Sequence, residues 1–282
     1  LDIFLNKLVD ERDAQSGLQI IPSLFGGLLG PLLGGKDEDN GEGDFIRKFC
    51  KAVKAAGGHA YIIGGAVRDK VLGRESKDID IEVFGLSQSK LEGVLKGLKQ
   101  SPKDVKMVGE QFGVYKVGNI DISLPRTESK KGSGHKGFEV KVNPNLSMQE
   151  AIKRRDLTIN SLFYDPLTDE IIDVTTGKED IKKGVLRFNN KEKFAEDPLR
   201  VYRVMQFIGR LGFKPTDDLT QLCKDMVQSG ELDTLPKERL YEEWEKLLTK
   251  SEKPSLGLHF AKDIGLLQKY YPTLDMLSKV GQ

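Results

Sequence analysis

Residues 61–84 read YIIGGAVRDKVLGRESKDIDIEVF, and this stretch decides the fold class. Its apolar beginning, Ala60–Ile63, predicts a short strand that runs directly into Gly64 and Gly65. Two glycines after a strand let the backbone approach a phosphate closely, and Arg68 is suited to bind the phosphate oxygens. Taken alone, the glycine pair is more typical of an ordinary tight turn, so its meaning depends on the carboxylates that follow.

Asp78 and Asp80 follow the glycine pair. Asp78 comes directly before the stretch Ile79–Val83, which contains Asp80 and whose alternation predicts a strand with one face toward water. Because side chains two residues apart in a strand share a face, the two carboxylates point the same way. Their repulsion is relieved by a bound cation, and hard oxygen ligands suit Mg²⁺. A solvated strand face explains Asp-x-Asp by itself, but the combination with the glycine pair is far more specific.

The surrounding pattern predicts a mixed α/β head followed by helices. A helix capped by Asp44 should end at Gly57-Gly58, and another should cover Ser87–Leu98. Strands are expected at Val105–Val108, Val114–Val117, Ile120–Leu124 and Phe138–Val142, and a capping box at Ser147–Glu150 opens a helix. Beyond Phe194 the pattern is entirely helical, and the expected helices run from Asp197 to Gly212, Asp217–Gln228, Pro236–Leu248 and Ser255–Leu267.

Three later stretches complete a set of motifs: RRDLTIN at residues 154–160, EDPLRVYR at residues 196–203 and ERLYEE at residues 238–243. The set resembles the class II family of CCA-adding enzymes and bacterial-type poly(A) polymerases, within the nucleotidyltransferase superfamily that includes DNA polymerase β. The resemblance extends almost continuously from Tyr61 to about Leu277. It implies an α+β fold, with a polymerase-β-like head built on a mixed sheet and an all-helical neck.

The resemblance also implies roles for individual residues. Asp78 and Asp80 would be catalytic and would bind Mg²⁺, and Asp121 would be a third catalytic carboxylate, although an alternating surface strand explains Asp121 equally well. The implied nucleotide-binding residues are Gly64, Gly65, Arg68, Arg155, Asp156, Asn160, Asp197, Arg200 and Arg203. Residues 124–128 and 132–138 look like the family's flexible loop. Gln206 stands where some relatives carry arginine, which leaves the outermost triphosphate contact open.

Asp197 and Arg200 have a physical basis for choosing C and A. Both bases present an amine donor beside a ring-nitrogen acceptor, which a carboxylate and a guanidinium complement, whereas U and G present a carbonyl and an N–H there. A local alternative exists, because Asp197 before Pro198 is also an ideal helix cap. With Arg200 and Arg203 in place the base-reading role is favoured, and one residue can serve both purposes.

Composition restricts the remaining classes. The 282 residues contain 44 Lys and Arg against 43 Asp and Glu, so any nucleic-acid surface must be local. Two distant cysteines form neither a disulfide framework nor a zinc spacing, which favours a reducing, intracellular compartment, either the cytoplasm or an organelle such as the mitochondrion. No apolar run is long enough to span a bilayer.

Two further motifs are rejected as nucleotide sites. Gly30–Lys36 has the Walker A spacing, but Asp37 stands where a hydroxyl should bind Mg²⁺. Gly132–Gly137 matches G-x-G-x-x-G but leads into a strand-like stretch, not a helix. We therefore expect a flexible or docking extension at residues 1–43, a nucleotidyltransferase head at 44–187, and a helical neck with the start of a body at 188–282.

The predicted function is addition of C, A or both to the 3′ end of tRNA from CTP and ATP, with release of pyrophosphate. A poly(A) polymerase shares every motif, but residues 109–113, GEQFG, lack the paired basic residues typical of those enzymes. A non-catalytic RNA-binding or assembly subunit is the other alternative. Because the resemblance ends before the regions that grip tRNA in relatives, a partner protein or an oligomer would supply that surface, docking at Leu1–Gly35.

Overall fold

The computed structural model describes residues 41–76, 78–98, 105–108, 114–130 and 138–277. Of these, residues 41–182 form one compact unit, the head unit, and residues 183–277 form a second, the neck unit. Most of the N-terminal extension, both rejected motifs and the stretch 109–113 lie outside the described residues, so the predictions made for them stay predictions.

The head unit contains the predicted strands and helices, with one corrected boundary. Its elements are α1 (Gly41–Ala55), β1 (His59–Ile63), α2 (Gly65–Val71), β2 (Ile79–Phe84), α3 (Gln88–Gly97), β3 (Val105–Val108), β4 (Val114–Val117), β5 (Ile120–Ser123), β6 (Arg126–Lys130), β7 (Phe138–Val142), α4 (Met148–Ile152), a 3₁₀ turn (Thr158–Asn160), β8 (Phe163–Asp165), β9 (Glu170–Ile172) and α5 (Gly177–Lys183). Helix α1 begins at Gly41, so the prediction that Asp44 caps it is wrong. Asp44 lies in its first turn, where a negative charge favours the helix dipole.

Seven strands form one mixed sheet in the order β3-β4-β5-β2-β1-β8-β9. Strands β2 and β5 pair in parallel, and the other neighbouring pairs are antiparallel. Strands β6 and β7 pair separately, so residues 126–128 of the expected flexible loop lie in a strand. The mixed sheet confirms the predicted α+β class.

The two faces of the central strands have different coverings. On one face, α1 buries an apolar stripe that includes Phe45, Phe49 and Val53 at helical spacing. On the other face, α4 packs over a cluster that includes Phe84 and Phe163, whose rings meet edge to face. The second face also carries the even-numbered residues of β2, and therefore the candidate carboxylates.

The neck unit is helical apart from one short strand pair. Its elements are β10 (Val185–Leu186), α6 (Lys191–Ala195), α7 (Leu199–Leu211), β11 (Lys214–Pro215), α8 (Asp217–Ser229), a 3₁₀ turn (Glu231–Thr234), α9 (Lys237–Lys250), α10 (Pro254–Asp263), α11 (Leu266–Tyr270) and α12 (Pro272–Leu277). The predicted single helix at 255–267 is wrong, because Gly265 adopts a φ of 78° and separates α10 from α11. Strand β11 likewise interrupts the helical pattern expected beyond Phe194. No helix in the described ranges is long and apolar enough to cross a membrane.

Candidate active site

The parallel pairing of β2 with β5 brings two of the predicted carboxylates together. Asp80 lies directly opposite Asp121 in this register, and directly opposite residues of neighbouring strands share a face of the sheet. Asp78 immediately precedes β2, and both Asp78 and Asp80 are exposed. The sheet therefore gathers Asp78, Asp80 and Asp121 at the start of β2.

Negative charge is concentrated at the start of β2, where these three carboxylates lie. The pKa of Asp80 is raised because the surrounding protein desolvates its charged form, and the charges of Asp121 and Asp78 act in the same direction. The nearby Arg155 opposes the shift, and the exposure of Asp80 to water moderates it. Asp121 also forms an ion pair with Lys116 across the sheet, with the Lys116 Nζ 3.1 Å from Asp121 Oδ1. A cation at this edge would lower the repulsion between the carboxylates.

The carboxylates do not form a closed metal cage. Within the part of the chain that the structure describes, no group of three or more His, Cys, Asp or Glu side chains is arranged to hold a metal. The donor chemistry nevertheless fits Mg²⁺, which binds through one or two carboxylates and completes its shell with water and substrate phosphates. Asp78 and Asp80 supply such a pair.

Gly64 connects the glycine turn to the carboxylates. Its φ of 75° and ψ of −137° fall in a region that residues with a side chain rarely adopt. A Cβ atom at this position would lie 3.5 Å from both Arg155 Nη1 and Asp80 Oδ2. The absence of a side chain therefore leaves open backbone beside one guanidinium and one carboxylate, a combination of groups that suits a phosphate and a cation.

Three of the predicted nucleotide ligands are buried and bonded to one another. Arg68 Nη1 donates to Asn160 Oδ1 at 2.6 Å, and Asn160 Nδ2 donates to Asp156 Oδ1 at 3.1 Å. Arg68 also pairs with Asp69, Nη2 to Oδ1 at 2.7 Å. Asp156 further accepts the Leu157 N–H at 2.7 Å. The network joins α2 to the 3₁₀ turn, and the phosphate and ribose roles assigned to its members stay predictions.

Glu82 is a feature that sequence reasoning misjudged. The alternation of β2 predicts a wet face, yet Glu82 is fully buried and its Oε1 pairs with Arg154 Nη2 at 2.7 Å. The expectation fails because residues 153–155, after α4, cover this part of the strand. The sequence carries no periodic signal for this pairing, because Arg154 lies 72 residues further along the chain.

In the neck unit, Asp197 supports the start of a helix, as the capping alternative predicts, and its base-reading role stays a prediction. Its Oδ1 accepts the Leu199 N–H at 3.1 Å, which satisfies a donor of the first turn of α7. Its Oδ2 lies 3.7 Å from Arg239 Nη2 of α9. One side chain thus stabilises the helix start and carries a charge held by a neighbouring helix.

Arg200 and Arg203 are positioned by different contacts. Arg200 is buried, donates from Nη1 to the Lys193 carbonyl at 2.6 Å, and has its guanidinium carbon 5.9 Å from the centre of the Phe194 ring. Arg203 is partly exposed and approaches the buried Glu243, with 4.0 Å between Nη1 and Oε1. Arg200 is therefore rigidly held, while Arg203 is attached to α9.

Two protein-family models match this chain, one mainly over the head unit and the other within the neck unit. Residues 60–187 match the family described as "Poly A polymerase head domain", and residues 212–277 match the one described as "Probable RNA and SrmB- binding site of polymerase A". Together these matches include every motif found in the sequence except that of residues 196–203. The chain belongs to the class II family of CCA-adding enzymes and poly(A) polymerases.

Individual members of the family are similar over most of this chain. A multifunctional CCA protein of Xanthomonas campestris pv. campestris (strain B100) is 36% identical over 227 residues, covering 79% of this chain and 53% of that protein. A Bacillus stearothermophilus CCA-adding enzyme, solved in complex with CTP, has 29% identity and a TM-score of 0.63, covering 77% of this chain and 51% of its own.

A tRNA nucleotidyltransferase, solved with a primer tRNA and an incoming ATP analog, is 28% identical with a TM-score of 0.63 and covers 79% of this chain and 62% of its own. The chain spans about half the length of the curated family members that it matches, as the 53% coverage of the Xanthomonas protein shows. The similarity lies in the head and neck, where all of the candidate site residues lie.

Proposed function

We propose that this chain adds C and A to the 3′ end of tRNA, taking CTP and ATP as substrates and releasing pyrophosphate. The observation that carries the proposal is the β2–β5 register, which supports a paired-carboxylate site at Asp80 and Asp121 beside the open backbone of Gly64. The solved tRNA nucleotidyltransferase with a primer tRNA and an ATP analog supports tRNA as the RNA, and the CCA-adding enzyme solved with CTP supports CTP as one of the nucleotides.

In this proposal Mg²⁺ is held by Asp78 and Asp80, with Asp121 adding negative charge beside them. When bound, the metal would activate the RNA 3′-hydroxyl and neutralise charge that develops on the triphosphate. The hydroxyl oxygen forms a bond to the α-phosphorus, loses its proton, and the bond to the pyrophosphate oxygen breaks. The chain's own groups contribute position and charge, which carry most of the catalysis in phosphoryl transfer.

Gly64, Gly65 and Arg155 are the groups we assign to the triphosphate. The glycines present backbone without side chains, and Arg155 is charged at any ordinary pH. Burial lowers the pKa of Arg155 and the neighbouring Arg154 acts in the same direction, whereas the charges of Glu82 and Asp80 oppose them. A triphosphate would add negative charge beside this partly buried guanidinium.

The buried network is assigned a positioning role next to the ribose. Arg68 holds Asn160, and Asn160 holds Asp156, so the three side chains keep the 3₁₀ turn fixed to α2. Asp156 and Asn160 retain further hydrogen-bonding capacity for a 2′-hydroxyl, because a carboxylate and an amide each make several hydrogen bonds. Arg68 would then act through Asn160 and not through a phosphate.

Asp197 and Arg200 are assigned to base selection. The carboxylate would accept from the exocyclic amine of C or A, and the guanidinium would donate to the adjacent ring nitrogen. The internal contacts of Arg200 support this role, since a rigidly held donor discriminates better than a mobile one. Arg203 is assigned to nucleotide binding. The intracellular location and the partner or oligomer that supplies further tRNA contacts stay predictions.

A labelled-nucleotide assay tests the proposal. The chain is incubated with Mg²⁺ and each of the four nucleoside triphosphates, using tRNA that lacks its 3′ CCA, tRNA that ends in CC, and an unrelated oligoribonucleotide. Ordered addition of C, C and A to the first tRNA and of A to the second supports CCA addition. Long A tracts on the unrelated RNA would identify a poly(A) polymerase, and no incorporation on any RNA would identify a non-catalytic subunit.

A further inference from the structure

The fully buried Glu82 lies on the same strand face as the candidate catalytic carboxylates. Asp78, Asp80 and Glu82 follow each other at a spacing of two residues, and Glu82 is opposite Ser123 just as Asp80 is opposite Asp121. Glu82 is 0% exposed, and its Oε2 accepts no hydrogen bond from the described residues. A buried carboxylate of this kind requires a positive partner.

That partner is the arginine pair that follows α4. Glu82 Oε1 lies 2.7 Å from Arg154 Nη2 and 3.9 Å from Arg155 Nη2, so one oxygen approaches both guanidinium groups. Arg154 Nη1 lies 3.7 Å from Glu128 Oε1 of β6, and Arg126 Nε donates to the same oxygen at 2.9 Å. Alternating charges therefore connect β2 with the β6–β7 hairpin.

Stability alone is a weak reason for this arrangement. A buried ion pair contributes little compared with apolar side chains of similar volume, because desolvation offsets most of its attraction. It does fix geometry, since removing one member leaves the other charge buried without compensation. Here the fixed geometry includes Arg155, whose Nη1 lies beside Gly64 and the Asp80 carboxylate.

We propose that Glu82 is a positioning residue for nucleotidyl transfer. By binding Arg154 and attracting Arg155, it holds the Arg155 guanidinium beside Gly64 and near the Asp80 carboxylate, where we assign the triphosphate. The inference rests on the proposed function and deepens it, because it adds a residue that does not touch the nucleotide. The misplacement that follows its loss should slow chemistry more than it weakens binding.

The test compares Glu82→Gln, Arg154→Gln and the double variant with the wild-type chain. For each, kcat and KM for CTP are measured on tRNA that lacks its 3′ CCA, together with the thermal midpoint. We expect each single variant to lose roughly tenfold to a hundredfold in kcat, with KM changed by less than about threefold. The double variant should lose about as much kcat as the worse single variant, because coupled residues are not additive.

Asp173→Asn is the matched control, because Asp173 is a half-buried carboxylate of the head unit whose contacts lie within residues 173–178. It should lower the thermal midpoint and leave kcat unchanged. Recovery of kcat together with the midpoint in the double variant would assign Glu82 a merely structural role. Losses that multiply would show that Glu82 and Arg154 act separately, and either result overturns the inference. A wild-type chain without activity would instead refute the proposed function itself.

Discussion

Replacing Arg68 by methionine separates the two roles that this arginine can have. The side chain is 5% exposed, and its guanidinium donates to Asn160 Oδ1 at 2.6 Å and to Asp69 Oδ1 at 2.7 Å. Methionine fills a similar volume without donors, so a buried amide oxygen is left unsatisfied at a cost of about 1–3 kcal/mol. Loss of the ion pair with Asp69 adds roughly 1 kcal/mol to this cost, because water reaches the Asp69 carboxylate.

The head unit should therefore lose about 2–4 kcal/mol of unfolding free energy, which corresponds to a fall of roughly 5–15 °C in its thermal midpoint. Scanning calorimetry of the whole chain measures this fall. The fluorescence of Trp244, the one tryptophan of the sequence, follows the unfolding of the neck unit, and the thermal midpoint that it gives should be unchanged. The exposed Arg74→Met is the matched control and should change the unfolding free energy by less than about 0.5 kcal/mol. The reasoning is refuted if Arg68→Met melts like the control while KM for CTP rises strongly, since Arg68 would then be a phosphate ligand.

Three further substitutions test separate parts of the account. Gly64→Ala should lower the unfolding free energy of the head unit by about 1–3 kcal/mol, because Gly64 has a positive φ. The same change should also reduce kcat, so an unchanged thermal midpoint together with an unchanged kcat would contradict this expectation. Arg200→Ala should reduce selection against UTP and GTP by roughly 1.5–3 kcal/mol, measured as ratios of kcat/KM, whereas an equal loss for all nucleotides would make Arg200 a phosphate ligand. Ser147→Ala removes the capping box of α4 and should cost about 1 kcal/mol; calorimetry should detect this loss, and a large fall in kcat would show that α4 does more than support the fold.

Local sequence signals predicted the elements of the head well. Gly57 and Gly58 ended α1, Ser147 and Glu150 formed the complete capping box, and Ser87 capped α3, because each effect depends on residues close in the chain. The glycine pair and the Asp-x-Asp spacing are likewise close together in the structure, where Gly64 lies beside Asp80.

Pairings between distant segments could not be predicted in the same way. The sequence left Asp121 undecided between a surface residue and a site residue, and only the parallel register of β2 with β5 places it opposite Asp80. The burial of Glu82 depends on Arg154, which is 72 residues away in sequence. Neither relation leaves a periodic signal, because periodicity reports the pattern of one element and not what covers it.

The split between α10 and α11 depends on a local feature of the sequence, the glycine at position 265. The apolar spacing from Ser255 to Leu267 is continuous, and a glycine within a helical pattern is usually tolerated at moderate cost. Here Gly265 adopts the left-handed conformation that ends helices, and α11 begins at the next residue. Conversely, the start of α1 at Gly41 could not be read from Asp44, because an acidic residue is favourable both as a cap and in the first turn.

The most direct test of the central claim is the rate at which CMP is incorporated from labelled CTP into tRNA lacking its 3′ CCA, at saturating Mg²⁺. Wild type is compared with Asp78→Asn and Asp80→Asn, and with Asp44→Asn as a control at an exposed site on α1. We expect incorporation by wild type and control, and a loss of roughly 10²-fold or more in each site variant with an unchanged thermal midpoint. Undiminished incorporation by either site variant would contradict the assignment of Asp78 and Asp80 as the catalytic carboxylates.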